Sequence, residues 1–148
     1  MNFDGACDSK NGLSGLRVIF RDCQGVMKGA MAIPQVGNLP PRSMEALALL
    51  HGLCFTLHVG FSNIEVESDA LSVINSFNDS FEGHIIDEVK CLVQSFNSCR
   101  GHFVKREGNK IAHHLAREDL KISQSFLCLE LGPEWLHQCV NVDFQCEV

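Results

Sequence analysis

Apolar and polar positions change rhythm twice along this chain, and the changes mark out its elements. Residues 1–7, 15–22 (GLRVIFRD) and 25–35 (GVMKGAMAIPQ) are β-rich and predict three strands. The turn Arg21-Asp22-Cys23-Gln24-Gly25 joins the second and third as an antiparallel hairpin. Two prolines between Asn38 and Pro41 are expected to stop the third strand. From Ser43 to His58 the spacing becomes helical, with Leu47, Leu50, Cys54 and Leu57 three or four apart and Ser43 as the expected N-cap. A short strand follows over 63–67, then helices over 69–77 and 85–96, a fifth strand over 100–105 and a helix over 109–120. Three antiparallel strands followed by alternating helix and strand predict an α/β fold: a mixed five-stranded sheet with helices on both faces. Residues 1–122 form the expected domain, and 123–148 a C-terminal tail packing back on it through Trp135, Leu136, Val140, Val142 and Phe144.

Composition narrows the picture. The chain has 148 residues, 45% hydrophobic and 20% charged, enough for one domain with its own core. A net charge of −6 opposes polyanions, so any grip on nucleic acid must be local or helped by metal ions. The eight cysteines show no CxxC spacing, which suits reduced thiols in a cytoplasmic or nuclear compartment better than a disulfide framework. The seven histidines form no zinc-like cluster, and no apolar run is long enough to span a membrane.

Candidate chemistry lies in three acids at the edges of predicted elements: Asp4 in Asp4-Gly5-Ala6, Glu45 in Ser43-Met44-Glu45-Ala46, and Asp69 in Glu67-Ser68-Asp69-Ala70. Singly, each also reads as a turn residue, a helix N-terminal charge or a helix cap. In a mixed sheet of this order, Asp4 lies on the central strand, Asp69 ends the strand beside it, and the first helix brings Glu45 inward. Three carboxylates at one end of the sheet suit Mg²⁺, which prefers hard oxygen ligands.

Together with Asn109-Lys110-Ile111-Ala112-His113-His114-Leu115-Ala116, these fragments resemble the ribonuclease H fold, most closely its plant reverse-transcriptase-like branch. The resemblance covers about residues 1–122. It implies a type 1 enzyme that cleaves the RNA strand of RNA–DNA hybrids with Mg²⁺, or possible Mn²⁺, bound by Asp4, Glu45 and Asp69. His113 stands where the family usually carries a fourth Asp. A neutral imidazole there weakens one metal position and suits Mn²⁺ or Zn²⁺ better than Mg²⁺. Ser14, Gly15, Arg42, Arg106 and Asn109 are the candidate nucleic-acid contacts. Hybrid binding is expected to be weak, by a monomer. Replacing Asp4 by Asn is expected to abolish cutting and, by lessening carboxylate repulsion, to stabilise the metal-free fold. The alternatives are a degenerate, retroelement-derived module that binds nucleic acid or protein without cutting, and an interaction domain that uses its apolar tail.

Overall fold

The computed structural model describes residues 1–8, 12–37, 39–78, 84–110, 125–130, 132, 134 and 136. Six strands form one mixed sheet: β1 (Asn2–Asp8), β2 (Leu13–Arg21), β3 (Met27–Val36), β4 (Asn63–Ser68), β5 (Ser98–Phe103) and β6 (Phe126–Leu129). Their order across the sheet is β5-β4-β1-β2-β3-β6. β1 pairs antiparallel with β2 and parallel with β4, which makes it central.

The sheet has one strand more than the five expected. β6 comes from the segment read as a tail and pairs antiparallel with β3, from Gly29↔Leu129 to Ala32↔Phe126. Its four residues, Phe-Leu-Cys-Leu, are apolar on both faces, although Leu127 and Leu129 point outward and are exposed. Such a run carries no alternation, so periodicity alone could not find it.

β2 shows the opposite case. Ser14 through Phe20 are all buried because the sheet is covered on both sides. One face packs under α1 (Pro41–His58), α2 (Leu71–Asn78) and α3 (His84–Val93). Phe3, Leu16, Val18, Leu49, Leu53 and Val73 form the centre of that core. On the other face Ile19, Met27, Ala30 and Leu136 build a second, smaller core. The helix expected over 109–120 lies outside the described residues beyond Lys110. Before it, Arg106–Asn109 forms a 3-10 turn.

α1 differs from its expected form in two ways. It begins at Pro41, with Ser43 inside the first turn and Pro40 at the cap position. The fixed φ of proline suits the first helical residue, so the pair starts this helix as well as ending the strand. The buried stripe also lies to one side of the expected one. Met44, Ala48, Leu49 and Leu53 are fully buried, Leu47, Leu50 and Leu57 are half-buried, and Cys54 is exposed. The helix is wedged between the sheet and α3, so apolar residues ring much of it and spacing alone picked out its flank.

The β2–β3 hairpin closes through Asp22, whose Oδ1 accepts from the backbone nitrogens of Gln24 and Val26, both at 2.9 Å. This Asx turn accounts for the Arg-Asp-Cys-Gln-Gly signal in the sequence.

Candidate active site

Asp4 lies on the central strand and is buried. The next residue, Gly5, turns toward α1. A Cβ there would stand 2.6 Å from the Met44 carbonyl carbon and 2.8 Å from the Glu45 backbone nitrogen. Those distances are too short for any side chain, so only glycine lets α1 press its first turn onto β1. The Gly5 backbone N–H also donates to the Glu45 carboxylate. The Asp-Gly pair thus supplies one acid and the space that admits the second.

Asp69 arrives from the end of β4. The Asn2↔Glu67 pairing sets β4 parallel to β1, and two residues further along each strand are Asp4 and Asp69. Ser68 Oγ accepts from the Ala70 N–H at 3.1 Å, which turns the chain from β4 toward α2. Asn109 then fixes the acid. Its side-chain nitrogen donates to Asp69 Oδ1 at 2.7 Å and to the Phe3 carbonyl oxygen at 3.0 Å.

The three acids interact electrostatically. Burial, followed by the charge of Asp4 and a hydrogen bond to it, then by the charge of Asp69, pushes Glu45 up to about 9 from 4.5. Glu45 Oε2 is buried without a hydrogen-bond partner. A buried acid crowded by two others holds a proton unless a cation takes its place. These hard oxygen donors fit a divalent ion such as Mg²⁺ or Mn²⁺. Among the described residues, however, no three His, Cys, Asp or Glu side chains already form a metal-ligand set. With Glu45 pushed up beside Asp4, an ion entering between them would displace a proton.

A reverse-transcriptase-like family profile matches residues 2–119. The chain belongs to the reverse-transcriptase-like family. It is 24% identical over 148 residues to a candidate ribonuclease H protein of Arabidopsis thaliana, covering 97% of this chain. It spans only 24% of that relative's length. Its fold matches ribonuclease H1 of the halophilic archaeon Halobacterium salinarum with a TM-score of 0.73 at 21% identity, over 81% of this chain and 95% of that one. It also matches LC11 ribonuclease H1, solved in complex with an RNA/DNA hybrid, with a TM-score of 0.69 at 17% identity, over 81% and 94% of the two chains.

Within this domain the other sequence candidates are dispersed. Ser14 is buried, and its hydroxyl donates to the Gly37 carbonyl oxygen at 2.9 Å, tying the start of β2 to the end of β3. Gly15 lies inside β2 beneath the Arg17 guanidinium, not in an open turn. Neither presents itself to a phosphate. Arg42 is exposed on the first turn of α1 and donates to Ser76 Oγ at 2.8 Å. Arg106 is exposed in the 3-10 turn. Asn109 is 1% exposed, with its side-chain nitrogen turned to Asp69 and the Phe3 carbonyl. His113 lies outside the described residues.

One charged residue near the acids went unremarked in the sequence. Arg17 is 1% exposed, in register with Asp4. Its signal was a lone cation inside the apolar run Leu16-Arg17-Val18-Ile19-Phe20. A cleft of about 710 Å³, lined by Asn2, Phe20, Arg21, Lys28, Glu65 and Glu67, opens toward the other end of β1.

Proposed function

We propose that this ribonuclease H-like domain hydrolyses the RNA strand of RNA–DNA hybrids with bound divalent metal. Glu45 carries the reading. It is a half-buried residue whose Oε2 is buried without a hydrogen-bond partner, pressed against Asp4 and within the field of Asp69. Such crowding destabilises a fold that never binds a cation and becomes useful in one that does. Asp4, Glu45 and Asp69 would hold the ion. When bound, Mg²⁺ or Mn²⁺ supplies Lewis-acid polarisation of the phosphate and a water of lowered pKa.

The chain's own groups do the positioning. The Gly5 N–H orients Glu45, Asn109 orients Asp69, and the central strand fixes Asp4. Exposed Lys105, Arg106 and Lys110 follow β5 and flank Asn109, where they offer phosphate contacts. With a net charge of −6 behind so few cations, hybrid binding is weak and salt-sensitive, and reads duplex shape and 2′-hydroxyls, not sequence.

A second reading, binding without cleavage, draws on His113, which stands where the family usually carries an Asp, and on the net charge of −6. One experiment separates the two. Purified protein is incubated with a labelled RNA–DNA hybrid in Mg²⁺ or Mn²⁺, beside Glu45→Gln and Asp69→Asn controls. Cleavage lost in both variants supports the nuclease. A folded wild type that binds the hybrid but leaves it intact in either metal supports the binding module.

A further inference from the structure

Two large apolar side chains stand open to water close to Asp69: Leu71 at 50% exposure and Phe103 at 47%. Phe103 ends β5, the outermost strand on that side of the sheet among the described residues. It pairs with Ser68, the residue before Asp69, and the Val104 N–H donates to the Ser68 carbonyl oxygen at 3.0 Å. Leu71 opens α2, and its N–H donates to the Asp69 carbonyl oxygen at 3.1 Å. Backbone bonds therefore hold both side chains within a few positions of the acid.

The way α2 covers β5 explains why Phe103 is open. Side chains along a strand alternate between faces, so Phe103 shares the face of Gly101. Over Gly101 that face is closed: a Cβ there would lie 2.6 Å from the Phe77 ring, and the Asn78 side-chain nitrogen donates to the Gly101 carbonyl oxygen at 3.3 Å. Two residues further along the strand, Phe103 lies beyond that cover. Within α2, Val73 and Ile74 are buried while Leu71 is not.

Single exposed apolar side chains are ordinary on a protein surface. The charge around this pair is what gives it meaning. Residues 98–110 carry exposed Arg100, Lys105, Arg106 and Lys110 against one acid, Glu107, in a chain whose net charge is −6. An open aromatic ring followed by cations has the two parts that hold a single nucleic-acid strand: a face on which a base stacks, and charge along the backbone. A base inside a duplex is already stacked between its neighbours, so the ring can take only an unpaired one.

We infer that Phe103, framed by Leu71 and followed by Lys105 and Arg106, is a stacking platform for an unpaired nucleotide beside the acid site. The inference rests on the hybrid-cleaving reading and goes further by naming the substrate class: a hybrid with one strand running on as a single-stranded tail.

Fluorescence anisotropy at low salt, in chelator and again in Ca²⁺, tests it on a blunt RNA–DNA hybrid and on the same hybrid with a short tail on each strand in turn. One tailed hybrid should bind the wild type roughly tenfold more tightly than the blunt one. Phe103→Leu, apolar but without a ring face, should lose that gain, and Phe103→Trp should keep it. A wild type that gains from neither tail overturns the inference, and so does a Phe103→Leu protein that keeps the full gain. Should the leucine variant fail to fold, Phe103→Trp gives a second measurement, read against the single Trp135 of the wild type. Its added emission should be quenched more by the tailed hybrid than by the blunt one, and equal quenching overturns the platform. Cleavage of the blunt hybrid in Mg²⁺ is scored separately. If that hybrid is cut while tails add nothing, the platform falls and the nuclease stands. A tail gain lost in Phe103→Leu, with no cleavage, removes the nuclease and supports the platform, whereas no binding of any hybrid removes both.

Discussion

The side-chain amide of Asn109 donates a 2.7 Å hydrogen bond to Oδ1 of Asp69, 40 positions earlier in the chain. The same nitrogen donates to the backbone of β1 at Phe3. One buried amide therefore joins the central strand, the end of β4 and the 3-10 turn after β5. Asn109→Ala should lose about 1–3 kcal/mol of stability, the usual cost of leaving buried groups unpaired. It should also lower hybrid cleavage by freeing Asp69. Asn109→Asp should be worse on both counts, since it sets a second carboxylate against Asp69. Thermal unfolding and single-turnover cleavage check the pair of effects, and wild-type stability in Asn109→Ala would remove Asn109 from this role.

Gly5 governs how near Glu45 comes to Asp4. Gly5→Ala puts a methyl into space already held by the Met44 and Glu45 backbone, which a backbone cannot vacate cheaply. The expected cost is about 1–3 kcal/mol, as for other overpacking substitutions. Because α1 must move outward, the Glu45 carboxyl should leave its place beside Asp4. Chemical denaturation measures the first effect and the divalent-ion affinity of the folded variant the second.

Glu45 makes the metal-free protein pH-sensitive in a defined direction. Its carboxyl is pushed up to about 9 in the fold, from 4.5 without the fold's influence. Between those values the native state keeps a proton that the unfolded chain has released. Its contribution is therefore whole below pH 4.5 and is lost as pH rises toward about 9. Glu45→Gln, a neutral isostere, should abolish this dependence and stabilise the metal-free protein at pH 7 by on the order of 1–3 kcal/mol. Urea unfolding in chelator at pH 5, 7 and 9 tests it. A variant that tracks the wild type at all three would show that Glu45 is not protonated in the fold.

Leu136 is fully buried against Ile19, Met27 and Ala30, on the face of the sheet opposite the helices. Leu136→Ala should cost about 2–5 kcal/mol, the range for emptying a packed core position. A change below ~0.5 kcal/mol in thermal or urea unfolding would mean that this part of the chain adds little to the domain.

The elements bearing Asp4, Glu45 and Asp69 were legible as local signals, but each acid alone also read as a turn residue, a helix charge or a cap, and the family resemblance was what grouped them. Asp4 sits in an apolar strand, Glu45 at a helix start, and Asp69 where a strand gives way to a helix. What escaped notice was non-local. β6 has too few residues and no alternation, and becomes a strand only because β3 has an open edge to pair with. The face of α1 was misplaced because α3 covers the flank that spacing alone would leave to solvent. Ser14 and Gly15 resembled turn residues, and their true surroundings depend on Gly37 and Arg17.

The sequence by itself determined the kind of protein this is: strand and helix order, three spaced carboxylates, and glycines and prolines at the breaks. Tertiary structure alone decided how the acid site is built. It set Gly5 against the backbone of α1 and aimed Asn109 at Asp69. The division has a physical cause. Backbone preference and hydrophobic period act over a few residues, whereas burial, electrostatic coupling and close approach arise only when distant segments exclude water between them.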